Sequence, residues 1–192
     1  MKIYFVGSIA AYESNVYDYK LITSTLRALG HEVFDTHMER SLDAVKSDSS
    51  AYRANYYKEL IKKIKMSDVV VAEVSFPSSI NIGHEITLAL EYEKPVFALY
   101  VHGKSPMMLE GNLNEKFIMG EYSTSNEDDF KVLLEKNLEK LIGLSDIRFN
   151  FFISPKMSRF LDWISKDRMI PKAVFLRKLI EDEIDKAKDF PG

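Results

Sequence analysis

The 192-residue chain has no cysteine, which excludes disulfides, thiolate metal sites and a cysteine nucleophile. No apolar run approaches the roughly 20 residues that span a bilayer. The opening Met1–Gly7 also lacks the long apolar core of a signal peptide, so a cytoplasmic protein without a membrane partner is expected. Strong charge is missing too. A formal net charge of -3 argues against nucleic-acid binding as the task of the whole chain. The four histidines, His31, His37, His84 and His102, show no zinc-type pairing with one another, so neither a metal nor another cofactor is expected. What is present is ordinary for a globular protein: 46% hydrophobic and 29% charged residues. The length suits one sizeable domain, or one of about 140–150 residues plus a small module.

The organising stretch is Ser67–Val74, an unbroken β-branched run that reads as a central strand buried on both faces. Turn residues Phe76–Ser79 end it, and a helix follows near Gly83 with Ile86, Leu88, Ala89 and Leu90 on its apolar side. Pro95–Tyr100 is the next strand. This is a βαβ unit, and in open α/β sheets ligands sit at the carboxyl ends of such strands. Glu85 falls at that edge. It is either a charge near a helix start or a working group.

The rest of the first 145 residues repeats the alternation. Lys2–Val6 is a strand ended by Gly7-Ser8, a turn that is tight and nothing more, or else a cradle of N–H groups for an anion. Asp18–Leu29 is an amphipathic helix stopped by Gly30, and His31–Phe34 is the second strand. Residues 38–51, with Ser41, Ser47, Ser49 and Ser50, read as a mobile loop that could cover a site. Tyr52–Met66 is a helix with Tyr56, Leu60, Ile61 and Ile64 inward and Lys62, Lys63 and Lys65 solvated. Phe117–Met119 is a short last strand and Asp128–Ile142 a last helix. The expected architecture is a doubly wound, parallel, five-stranded α/β sheet.

Two pieces carry a family likeness. Lys2-Ile3-Tyr4-Phe5-Val6-Gly7-Ser8-Ile9 is one; the other is Ser67–Ser78, then Gly83-His84-Glu85, then Lys94-Pro95-Val96. Together they resemble the nucleoside 2-deoxyribosyltransferase family, especially its branch of 2'-deoxynucleoside 5'-phosphate N-hydrolases, over roughly residues 1–142. The resemblance implies a flavodoxin-like fold, a homodimer or higher homo-oligomer, and a deoxynucleoside or deoxynucleotide substrate. It also implies hydrolysis or transfer at the N-glycosidic bond. Glu85, at the Gly-x-Glu position, would attack the anomeric carbon and form a glycosyl–enzyme intermediate. Tyr4 would lie against the sugar or the nucleophile, with a core role as its alternative. Gly7, Ser8, Ile9 and a serine of the Ser78-Ser79 turn would hold a 5'-phosphate, with Gly83 beside them; Ser78 as a cap is the plain alternative.

The chain departs from the family at three places. Where the family carries an acid on the preceding helix, Leu60 stands, and the adjacent Glu59 is the nearest carboxylate. The link from Pro77 to Glu85 is one residue longer than in the hydrolases, and Ala10 and Ala11 replace an arginine and glycines. Asp68 reads as a structural hydrogen-bonding group. A rival class therefore stays open: a catalytically degenerate nucleotide sensor.

From residue 146 the pattern changes. Arg148–Ile153 alternates like a strand, Ser154-Pro155 opens a helix, and a second helix runs from Lys172 to Lys188. Strand, helix, helix resembles the ribbon-helix-helix module, which dimerises because so small a unit buries too little alone. In that family the outward strand residues read bases; here these would be Arg148 and Asn150, with Phe152 unsuited. Ten basic against seven acidic residues after position 146 is a modest excess for binding DNA. Capping a neighbouring subunit's active site is a third use, and Trp163 reads as core or interface anchor.

Overall fold

The computed structural model describes residues 1–35, 38, 40–143 and 152–187. The chain divides into two compact units, Met1–Asp146 and Ile147–Gly192.

The first unit is a parallel sheet of five strands, β1 (Lys2–Val6), β2 (Glu32–Phe34), β3 (Val69–Glu73), β4 (Val96–Val101) and β5 (Phe117–Tyr122). Their spatial order is β2-β1-β3-β4-β5, the flavodoxin-like arrangement. The pleat sends alternate side chains to opposite faces. Ile3, Phe5, Val69, Val71, Phe97 and Leu99 build one core layer, with Tyr19, Ile22 and Leu26 of α1 (Tyr12–Ala28) and Phe130, Leu134 and Leu138 of α5 (Glu127–Gly143). Tyr4, Val6, Val70, Ala72, Val96 and Ala98 build the other. That layer receives Leu60 and Ile64 of α3 (Ser50–Met66) and Ile82, Ile86 and Ala89 of α4 (Ile80–Glu91). Every residue of β3 is buried, which is why its sequence shows no polar alternation. Asp68 ties the opposite, amino edge of the sheet: its carboxylate accepts the Lys2 N–H at 2.7 Å, and its own N–H donates to the Lys2 carbonyl.

Four sequence expectations are corrected here. The segment read as a mobile loop contains α2 (Leu42–Ser47), and α3 begins at Ser50. Two of its serines are caps: Ser41 Oγ accepts from the Ala44 N–H and Ser49 Oγ from the Tyr52 N–H, both at 3.2 Å. Helix α1 starts at Tyr12 rather than Asp18; its N-cap Ala11 has no capping side chain to mark the start, and none of its residues before Tyr19 is fully buried. Helix α4 starts at Ile80 rather than near Gly83. Strand β5 runs three residues longer than expected, to Tyr122, with Gly120 lying under the Phe97 ring where a side chain would collide.

In the second unit α6 (Pro155–Asp167) and α7 (Lys172–Lys186) pack on Leu161, Ile164 and Phe175. Ser154 caps α6, its Oγ accepting from the Met157 N–H, with Pro155 in the first turn. Among the described residues this unit has no strand; Phe152 and Ile153 lie outside regular structure, and Arg148–Phe151 fall outside the described residues. Trp163, at 58% exposure, is not core, and Met157, Phe160, Leu179, Ile180 and Ile184 are exposed rather than inward.

Candidate active site

A cavity of about 300 Å³ opens at the carboxyl edge of the sheet, over β1 and between α3 and α4. Each wall follows from local structure. Strand β1 ends at Val6, and Gly7 after it lines the cavity; an added Cβ there would meet Met38 Cε and Tyr19 Cζ at 2.9 Å, so the position is closed to a side chain by the other core layer. Helix α3 supplies Arg53, Tyr56, Tyr57 and Leu60; helix α4 and its cap supply Ser79, Asn81, His84 and Glu85. Arg40, Val45 and Asp48, around α2, complete the rim.

Glu85 is the sixth residue of α4, past the first turn in which the helix dipole favours a carboxylate. Its position is set by packing: Ile82, Ile86 and Ala89 bury the inner stripe of the helix, and Glu85 follows at the margin of that stripe. Its Oε2 accepts the Tyr4 hydroxyl at 3.0 Å. Burial raises the Glu85 pKa from 4.5 to about 7, and the Tyr4 hydrogen bond opposes the rise. Burial, then the nearby Glu85 charge, holds the Tyr4 phenol far above its ordinary value, so Tyr4 stays a donor. Tyr56 is pushed up to about 12, mainly by burial and then by Glu85.

On the rim Arg40 makes a two-pronged bridge to Asp48, at 2.7 and 2.9 Å, and its guanidinium lies over the Tyr52 ring at 4.8 Å. The bridge holds the Asp48 carboxyl below its usual range. Arg53 donates to the Lys46 carbonyl at 3.0 Å, fastening α3 to α2. Across the mouth, the Tyr57 hydroxyl and His84 Nε2 are 2.9 Å apart with the two rings stacked.

The sequence-predicted residues separate as follows. Glu85, Gly7, Ile9 and Ser79 line the cavity, and Tyr4 reaches it through Glu85. Ser8 is buried and turned to its own loop, its Oγ accepting from the Ala11 N–H and its N–H donating to the Tyr19 hydroxyl. Ser78 is exposed, Gly83 is half-buried within α4, and neither lines the cavity. Glu59 points to solvent, and Leu60 forms the wall in its place. Arg148 and Asn150 lie outside the described residues. The lining residues Arg40, Asp48, Arg53, Tyr57 and Asn81 were not singled out from sequence, and His84 reads there as a pocket wall or solvent contact rather than a general acid. The only available signal was that Tyr56-Tyr57 shares a helix face with Leu60.

A second buried carboxylate, Glu73, lies toward the other face of the sheet. It accepts from the Ser75 hydroxyl, the Ser75 N–H at 3.3 Å and the Tyr122 hydroxyl at 3.4 Å, while Ser75 Oγ accepts the Val101 N–H at 2.8 Å. This knot ties the ends of β3, β4 and β5 together. Among the described residues no group of three or more potential ligands could hold a metal ion, and no helix is long and apolar enough to cross a membrane.

Fold and site define a flavodoxin-like α/β protein with one carboxylate set into a pocket at the carboxyl edge of its sheet. Comparison with known proteins then fixes the family. The chain is 36% identical over 134 residues to the 2'-deoxynucleoside 5'-phosphate N-hydrolase 1 predicted in Nematostella vectensis, covering 67% of this chain and 89% of that one. It is 30% identical over 145 residues to the 5-hydroxymethyl-dUMP N-hydrolase of Danio rerio, covering 73% and 98%. The chain belongs to this N-hydrolase family and is an enzyme of that kind. No family model matches it. A 2-deoxyribosyltransferase of Bacillus psychrosaccharolyticus superposes with a TM-score of 0.53 over 68% of this chain and 90% of its own, at 19% identity, a likeness of fold.

Proposed function

We propose that this enzyme cleaves the N-glycosidic bond of a 2'-deoxynucleoside 5'-phosphate, with water or a second base as acceptor, through Glu85 as nucleophile. The observation that carries the reading is the Glu85 carboxylate, set in a sugar-sized cavity and held by Tyr4 at 3.0 Å. In the first step a Glu85 oxygen bonds to C1' while the C1'–N bond breaks and its electron pair leaves with the base. In the second, water or another base attacks C1' and releases the carboxylate. The sugar is cationic in both transition states, so a partly desolvated carboxylate interacts with it more strongly there than with the neutral ground state. Tyr4 orients the attacking oxygen.

For the 5'-phosphate, Ser79 at the start of α4 has a hydroxyl not used for capping, and Asn81 lies beside it. Arg40 and Arg53 are the cations on the lining, and they stand in for the arginine that Ala10 replaces. Gly7 and Ile9 then serve as wall. Ser8 and Ser78 have no such place.

The test is incubation with the four deoxynucleoside monophosphates, followed by chromatography for free base. Glu85→Ala should abolish release. A second reading, the sensor, is favoured by Leu60 where the family carries an acid. Binding without release from any of the four would establish the sensor and refute the enzyme mechanism.

The 147–192 unit is proposed to pair with its copy in a second chain. Three buried side chains are a thin core for two helices, and an exposed apolar row including Phe160, Trp163 and Ile180 suits such pairing. Sedimentation of the full chain as a monomer at tens of micromolar would refute it.

A further inference from the structure

A departing base needs a proton, because a nucleobase anion is a poor leaving group, and Leu60 leaves the family's acid position empty of one. The cavity's other titratable groups can be eliminated in turn. Glu85 is committed to C1'. Asp48 is held ionised by its bridge to Arg40, and a guanidinium does not release its proton. Tyr56, with its pKa near 12, gives up a proton too reluctantly. Among the described residues of the lining two side chains remain, Tyr57 and His84, and they are bonded to each other.

We propose that His84 is the general acid that protonates the departing base, with Tyr57 as the residue that positions it; the inference rests on the glycosidase reading above. Imidazole is the side chain suited to carry and return a proton near neutral pH. His84 precedes Glu85 on α4, and successive helix positions diverge by about 100°. Both side chains nonetheless line the one cavity, His84 at its exposed mouth, where a base attached to a sugar above Glu85 would project. Its Nε2 lies 2.9 Å from the Tyr57 hydroxyl, and the ring stacks on Tyr57 at 5.8 Å and 15°. That hydroxyl accepts from Nε2–H both in the imidazolium and in the neutral ring left once Nδ1 has given up its proton, so it holds His84 in both states. Nδ1 remains for the base.

The proton balance closes. Imidazolium N–H donates to a ring nitrogen or carbonyl oxygen of the base as C1'–N breaks and Glu85 bonds to C1'. Neutral imidazole then takes a proton from the attacking water as the Glu85–C1' bond breaks, which restores both groups.

The experiment compares wild-type protein and His84→Gln on two substrates. With 2'-deoxyguanosine 5'-monophosphate, loss of the acid should lower kcat/KM by roughly 10²–10⁴-fold. The N7-methyl derivative already carries its positive charge and expels a neutral base, so the variant should stay within about tenfold of wild type. If the wild type takes only pyrimidine nucleotides, dUMP and its more acidic 5-fluoro analogue form the pair. Equal losses on both substrates, or no loss on either, overturn the assignment. Absence of base release by the wild-type protein is a different result: it overturns the glycosidase reading and takes this inference with it. His84 is exposed, so the substitution leaves the core untouched.

Discussion

Replacing Glu85 by glutamine tests whether the cavity holds its carboxylate at an energetic cost. Glutamine keeps the shape and can accept the Tyr4 hydroxyl, but it never ionises. In the wild type, folding raises the Glu85 pKa from 4.5 to about 7. The folded state therefore binds this proton more tightly than the unfolded chain does. Stability from the protonated group is fully present below pH 4.5, is lost as pH rises, and is gone above about 7. That span of pKa corresponds to about 3 kcal/mol. Relative to wild type, Glu85→Gln should thus gain about 3 kcal/mol between pH 4 and pH 8.5, while its base release is abolished. All other titrating groups cancel in the difference. The assay is urea denaturation at both pH values, followed by far-UV circular dichroism, because the single tryptophan, Trp163, belongs to the other unit. A stability difference that does not change with pH would refute a buried carboxylate here, and with it the desolvated nucleophile.

The remaining predictions concern the neighbours of that group. Tyr4→Phe removes a hydrogen bond that lowers the Glu85 pKa, so the acid limb of the kcat/KM profile should move upward by about one pH unit; an unmoved limb would show that the hydroxyl does not act on the nucleophile. Arg40→Ala removes a cation from the lining and the bridge to Asp48, and should raise KM by roughly tenfold or more with little change in kcat. A fall in kcat alone would place Arg40 elsewhere in the cycle. Gly120→Ala sets a Cβ 2.8 Å from Phe97 Cε2 and should cost about 1–3 kcal/mol in the same denaturation assay.

Much of the first unit was legible because it is written in short-range pattern. The β-branched run of β3, the alternation of strand and helix, and the Gly83-His84-Glu85 sequence placed Glu85 at the carboxyl edge of the sheet before any coordinates. The segment around α2 was misread for a definite reason. Its serines look like linker residues until their hydroxyls are seen capping two helices. Arg40 and Asp48 were invisible as a pair, since nothing in eight residues of polar chain says that one will bridge to the other. Glu59 was favoured over no acid at all because sequence registers adjacency, whereas α3 turns Glu59 outward and Leu60 inward.

By itself the sequence determined the succession of the five strands and their main helices, with α2 missed, the two-faced core and the placing of Glu85 at the edge of the sheet, since these follow from local residue pattern. Tyr4 beside Glu85, 81 residues away, is what the family resemblance implied; only tertiary structure decided that Tyr57 would meet His84, 27 residues away, at the mouth of the cavity. Such meetings arise from the packing of α3 and α4 on one face of the sheet, and that packing is settled by the whole core at once rather than by any local run of residues.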